Sequence, residues 1–124
     1  MEKYWVMRSD VEVLRRIAAA LPGAVEGPTW GGDPGFKVGR RLFAHLYPDG
    51  RLIVRCPPDE RAALVADDPQ TYSFDNPEMP FLEVRLERVN EHTLRELLTE
   101  AWLTVAPKRV VRDFLAAREV GPAS

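Results

Sequence analysis

The sequence predicts an α+β domain in which helices pack on one face of an antiparallel sheet. Short apolar-alternating segments follow one another through glycine-bearing turns, as antiparallel hairpins do. Before and after them lie segments whose apolar residues recur three and four apart, the signature of amphipathic helices. The chain has 124 residues, 45% of them apolar, enough for one core and too few for two.

Each element has a local reason. Ser9-Asp10-Val11-Glu12 reads as a capping box opening a helix. Leu14, Ile17, Ala18 and Leu21 then form one apolar stripe, which Pro22-Gly23 ends. Gly27 to Gly35 holds four Gly and two Pro, so it is expected as a loop or irregular strand around Trp30. Strands are predicted at about Gly35–Val38, Leu42–Tyr47 and Leu52–Cys56, with turns at Gly39-Arg40 and Asp49-Gly50. Pro57-Pro58-Asp59 starts a short helix through Ala66, and Asp67-Asp68-Pro69 stops it. A short strand is expected near Tyr72–Phe74. Leu82, Val84 and Leu86 alternate with Glu83, Arg85 and Glu87 as a half-buried strand. Asn90 caps a longer helix with Leu94, Leu97, Leu98, Ala101 and Val105 inside and a Glu91–Arg95 pair outside. Pro107 opens a last helix with Val110, Val111, Phe114 and Leu115 facing in. No repeat or linker interrupts this order, so 1–124 is expected as a single domain with its core over about 8–117.

Charge and cysteine content exclude several classes. Lys and Arg number 17 against 19 Asp and Glu, a formal net charge of −2, which argues against an indiscriminate polyanion binder. The average conceals an asymmetry: residues 1–58 carry nine basic and six acidic side chains, residues 59–100 four and eleven, and residues 101–124 four and two. No unbroken apolar run is longer than Ile17 to Leu21, which is too short to span a bilayer, and no signal-peptide hydrophobic region follows Met1. A single cysteine forms no internal disulfide, so a cytoplasmic location is expected.

No catalytic or metal constellation emerges, and a non-enzyme without cofactor is expected. His45, His92 and Cys56 lie far apart without ligand spacing. Cys56 reads as a small buried hydrophobe. Gly31-Gly32 and Gly39 match neither a P-loop nor a dinucleotide fingerprint. Asp67-Asp68 reads as a solvated helix end, and Trp30 and Trp102 as core or core-rim residues.

The positive candidates are cationic. Arg40 and Arg41 fall at the tip of the first hairpin, with Lys37, Arg51 and Arg55 in the flanking strands. With a two-residue Gly39-Arg40 turn, Lys37, Arg51 and Arg55 share one face with Leu42, Ala44, Leu46 and Ile53, leaving Phe36, Phe43, Leu52 and Val54 for the core. Such a ribbon could set its arginines against phosphate oxygens, or the same residues could form an ordinary solvated face. Lys108 and Arg109 break a local rule, because the first turn of a helix favours acids. An anion site would explain them, and so would a Glu100 pair or a preceding helix that continues through a kink.

Taken in order, Leu21-Pro22-Gly23, Trp30-Gly31, Phe36-Lys37-Val38-Gly39-Arg40-Arg41-Leu42-Phe43-Ala44 and Ala101-Trp102-Leu103-Thr104-Val105-Ala106-Pro107-Lys108-Arg109 resemble the MmcQ/YjbR family over about residues 8–117. The resemblance implies a CyaY-like (frataxin-like) α+β fold and binding of double-stranded DNA through hairpin wings, which would fall on Lys37, Arg40, Arg41, Arg51 and Arg55. Where members frequently carry a Trp ahead of the late strand, this chain has Phe81-Leu82. The frataxin likeness does not extend to iron: the first helix offers Asp10 and Glu12 against Arg15 and Arg16, and a hard cation needs several converging carboxylates. A protein or peptide partner on the sheet face or the acidic middle segment is the alternative expectation.

Overall fold

The computed structural model describes residues 8–29 and 32–119. Four helices, α1 (Arg8–Ala19), α2 (Pro58–Asp67), α3 (Glu91–Leu103) and α4 (Lys108–Glu119), accompany six strands. The strands are β1 (Ala24–Pro28), β2 (Pro34–Val38), β3 (Arg41–Leu46), β4 (Arg51–Arg55), β5 (Tyr72–Ser73) and β6 (Phe81–Arg85). They form one sheet in the order β1-β2-β3-β4-β6-β5, antiparallel at every pairing. The α+β expectation therefore holds.

Alternation decides which side of the sheet is covered. Leu52 and Val54 of β4 pair with Leu46 and Ala44 of β3 and with Val84 and Leu82 of β6. All six are buried, and they meet Leu14 and Ile17 of α1 and Leu94 and Leu98 of α3 in one core. Trp102 is fully buried beside them. The Asn90 side chain accepts from Thr93 N–H at 2.8 Å, the expected cap. Glu91 and Arg95 pair at 2.8 Å. No described helix is long and apolar enough to cross a membrane.

Three expectations need correction, and one strand was not anticipated. Ser9 is already helical, so it does not cap α1. The unanticipated edge strand, β1, runs into the start of the glycine-rich stretch, because backbone pairing with β2 overrides the weak strand propensity of Gly27 and Pro28. Leu115 is 42% exposed rather than inward-facing, since Phe114 takes the inner position against Trp102. Ala44 and Leu46 lie in the core and not beside Lys37. The turn is the expected two residues, with Val38 opposite Arg41, but Phe36 pairs with Ala44 while Lys37 pairs with Leu42. Phe43 is the extra residue of a β-bulge, and beyond it every side chain of β3 changes face. The expectation for Trp30 falls outside the described residues.

Candidate nucleic-acid interface

The β2–β3 hairpin owes its shape to Gly39. This residue has φ +62 whereas Arg40 has no positive φ, the combination of a type II′ turn with glycine first. The turn places Arg40 at the tip and Arg41 beside it, and both are exposed, as is Lys37 one turn-length back. None of the three engages an acidic side chain among the described residues.

The other two predicted residues are held differently. Arg55 donates its Nε–H to the Leu42 carbonyl at 2.6 Å and lies over the Phe81 ring at 5.1 Å. Burial lowers its pKa, and the nearby charge of Arg41 lowers it further. Arg41 and Arg55 thus form a like-charged pair near the turn, which an anion would relieve. Arg51 stands at the opposite end of β4, about 13 Å along the strand. It bonds Asp49 at 2.9 Å, reaches Glu83 at 3.5 Å and stacks on Tyr47 at 4.6 Å. Burial opposes its charge, but Asp49 and Glu83 outweigh that and raise its pKa. Arg51 is therefore compensated, and the hairpin cluster reduces to Lys37, Arg40 and Arg41 with Arg55 behind them.

Lys108 and Arg109 occupy the exposed first turn of α4 and have no ion pair among the described residues. Neither alternative explanation applies: Glu100 does not pair with them, and α3 ends at Leu103 with residues 104–107 intervening. Arg112 of the next turn lines the same shallow recess as Lys108.

A buried histidine went unanticipated. His45 is 2% exposed, although it pairs with Ile53 on the side of the sheet opposite the core. Thr29 and Asp33 lie against it. Thr29 donates its hydroxyl to the Asp33 carbonyl at 2.8 Å. The 3.1 Å contact of the same oxygen with His45 Nε2 therefore has the imidazole as donor. The Asp33 carboxylate lies 3.5 Å from that nitrogen, and Tyr47 stacks at 4.5 Å. The sequence signal was there in His45 between apolar neighbours, but its cover comes from a segment expected to be irregular. Among the described residues no three His, Cys, Asp or Glu side chains gather as a metal site.

The fold and the cationic hairpin define a small α+β module of the kind the sequence resembles. The YjbR family model matches residues 19–104, and the chain belongs to the YjbR family. Uncharacterised proteins of Mycobacterium tuberculosis and Mycobacterium bovis are 42% identical to it over 123 residues, covering 82% of this chain and 92% of each relative. The crystal structure of Deinococcus radiodurans protein DR2400, a DUF419 domain, shares the fold with a TM-score of 0.69 at 24% identity. That match covers 83% of this chain and 86% of the neighbour.

Proposed function

We propose that this protein binds double-stranded DNA weakly, by phosphate contact, through the tip of the β2–β3 hairpin. The observation that carries the reading is the uncompensated charge of Lys37, Arg40 and Arg41. The remaining sheet cations are engaged: Arg51 by Asp49 and Glu83, Arg85 by Glu87, and Arg55 by a backbone carbonyl. An exposed hairpin tip whose guanidinium groups face no acid suits phosphate oxygens, and Arg can meet them bidentately. The wing arrangement that the MmcQ/YjbR resemblance implies falls on the same hairpin. The function is binding without catalysis, and with a net charge of −2 the contact is local and modest in affinity.

Fluorescence anisotropy of a short labelled duplex, titrated at about 50 to 200 mM salt, tests the proposal. Three phosphate contacts give a slope of log Kobs against log salt near −2.7, at roughly −0.9 per contact. Arg40→Ala with Arg41→Ala should flatten that slope by about two-thirds. An unchanged slope, or no retention of the duplex at the lowest salt, overturns it. A stoichiometric protein partner captured without DNA would do so as well.

A further inference from the structure

Helix α4 carries two apolar stripes, and the core covers only one of them. Phe114 turns inward onto the Trp102 ring, and Val110 packs against the same core. Lys108, Val111, Arg112, Leu115 and Ala116 recur at three- and four-residue spacing, so they form a second stripe along the helix. With Leu103 of α3 and Ala106 of the connection they line a shallow, open recess of about 530 Å³. Leu103, Ala106 and Val111 are half-buried, whereas Leu115 is left exposed. A leucine this open beside half-buried apolar neighbours makes a patch and not a scattered surface residue.

The recess carries one sign of charge. Lys108 and Arg112 line it, and among the described residues no acidic side chain does. Neither cation has an ion pair among the described residues, nor does Arg109 beside them. An anionic occupant is therefore favoured over a cationic one, and shape decides which kind. A small amphiphile would stay mostly wet in so open a recess, whereas sites for such ligands bury most of their surface. Duplex DNA would bring phosphates and leave the apolar lining uncovered. A bilayer takes bulky side chains that project, and here the apolar residues floor a concavity with no aromatic among them. The stripe runs from 108 to 116, about 12 Å at 1.5 Å per residue, or two turns of another helix. A helix laid in such a groove supplies apolar anchors at the same three- and four-residue spacing.

We infer that the α4 recess docks an acidic amphipathic helix of a partner protein. The partner's apolar anchors seat on Leu103, Val111 and Leu115, and its carboxylates pair with Lys108 and Arg112. Lys108 then has a reason to stand in a first turn that favours acids. The recess lies on a different element from the hairpin tip, and its occupancy does not depend on DNA binding.

The probe is a labelled peptide of about four helical turns, with leucines at i, i+3, i+4 and i+7 and glutamates beside them. A second peptide carries lysine at every glutamate. Titrated into the full chain, the acidic peptide should bind with Kd below about 1 mM and shift the amides of Leu103, Val111, Leu115 and Ala116. Its binding should weaken as salt rises from about 50 to 200 mM. The lysine peptide should bind at least about fivefold more weakly. Lys108→Glu with Arg112→Glu should reverse that order. Both positions are exposed, and an acid in the first turn favours the helix, so folding should survive. Arg40→Ala with Arg41→Ala should leave the acidic peptide's affinity unchanged. Equal binding of the two peptides overturns the inference, as does an order that the double charge reversal leaves intact. So do shifts that map elsewhere, or an absence of saturation well above ~1 mM. Shifts along the same stripe on concentrating the chain alone would assign the recess to a second copy. A larger response there to vesicles of anionic phospholipid would assign it to a membrane. Either result overturns the inference.

Discussion

The indole Nε1–H of Trp102 donates a 2.8 Å hydrogen bond to the carbonyl of Pro22. That bond ties the last turn of α3 to the link between α1 and β1, across 80 residues of sequence. Two of the segments that carry the family resemblance, 21–23 and 101–109, therefore meet in space. Trp102 is fully buried and packs on Phe114 at 4.8 Å between ring centres. Trp102→Phe keeps most of the apolar contact but removes the donor, leaving the Pro22 carbonyl without it. The expected loss is about 1–3 kcal/mol in urea unfolding, rising to about 3–5 kcal/mol for Trp102→Ala. A Phe variant as stable as the parent would show that the bond contributes nothing.

Arg61 is the one buried cation of the described core, at 4% exposure. It donates to the carbonyls of Met79, Phe81 and Pro77 and lies 4.0 Å from the Phe74 ring centre. One guanidinium thus fastens the proline-punctuated segment before β6 to α2. Arg61→Met should cost about 2–4 kcal/mol, because three carbonyls lose their donor. Arg15→Met, which breaks an exposed pair with Glu26, should cost less than about 1 kcal/mol. Limited proteolysis should cut Arg61→Met first within 75–80. Equal losses for the two variants would contradict this assignment.

Wherever a local signal and the tertiary requirement agree, the element was legible in the sequence. Asn90 caps α3 as its position before Thr93 predicts, and Leu52, Val54, Leu82 and Val84 alternate into the core as their spacing predicts. The hairpin tip at Arg40 and Arg41 was equally legible, because Gly39 specifies the turn. What could not be read was the bulge at Phe43: a bulge is a property of two strands in register, and no single strand encodes it. The same limit hid β1, whose Gly27 and Pro28 form a strand only because Gly35 and Pro34 lie opposite. Arg51 looked identical to Arg41 in sequence. Only the fold adds Glu83, diagonally placed on β6 opposite Ile53, to the local Asp49 pair and so compensates its charge.

Gly35 faces the cover of His45 at close range. A Cβ built there would lie 2.3 Å from Thr29 Cγ2 and 3.1 Å from Leu42 Cδ1. Gly35→Ala must therefore push Thr29 aside and disturb its hydrogen bonds to Asp33 and His45, at a cost of roughly 1–3 kcal/mol. Thr29→Ser keeps the hydroxyl and deletes the clashing methyl. The double variant should accordingly be more stable than the sum of the single losses predicts, by at least about 0.5 kcal/mol in a double-mutant cycle. Strict additivity would place the strain elsewhere.

The Asp75–Glu83 pair sets a pH dependence of definite sign. Burial raises the Glu83 pKa above its ordinary 4.5, the hydrogen bond and charge of Asp75 raise it further, and Arg51 only partly opposes them. The folded chain then holds this proton more tightly than the unfolded chain does. Between 4.5 and the raised folded value, increasing pH makes the folded state release a proton it favours, so stability from this group falls through that window. Asp68 acts in the opposite sense. Its hydrogen bond from Thr71 is the main cause of a lowered pKa, so its contribution is present above 3.8 and lost as pH falls through the folded value. Glu83→Gln separates the two. Urea unfolding from about pH 4 to about pH 7 should show stability declining less with rising pH in the variant than in the parent. Asp75→Asn should move the curve the same way by removing the charge that raises Glu83. Parallel curves for parent and Glu83→Gln would show that the carboxyl pair does not carry the dependence.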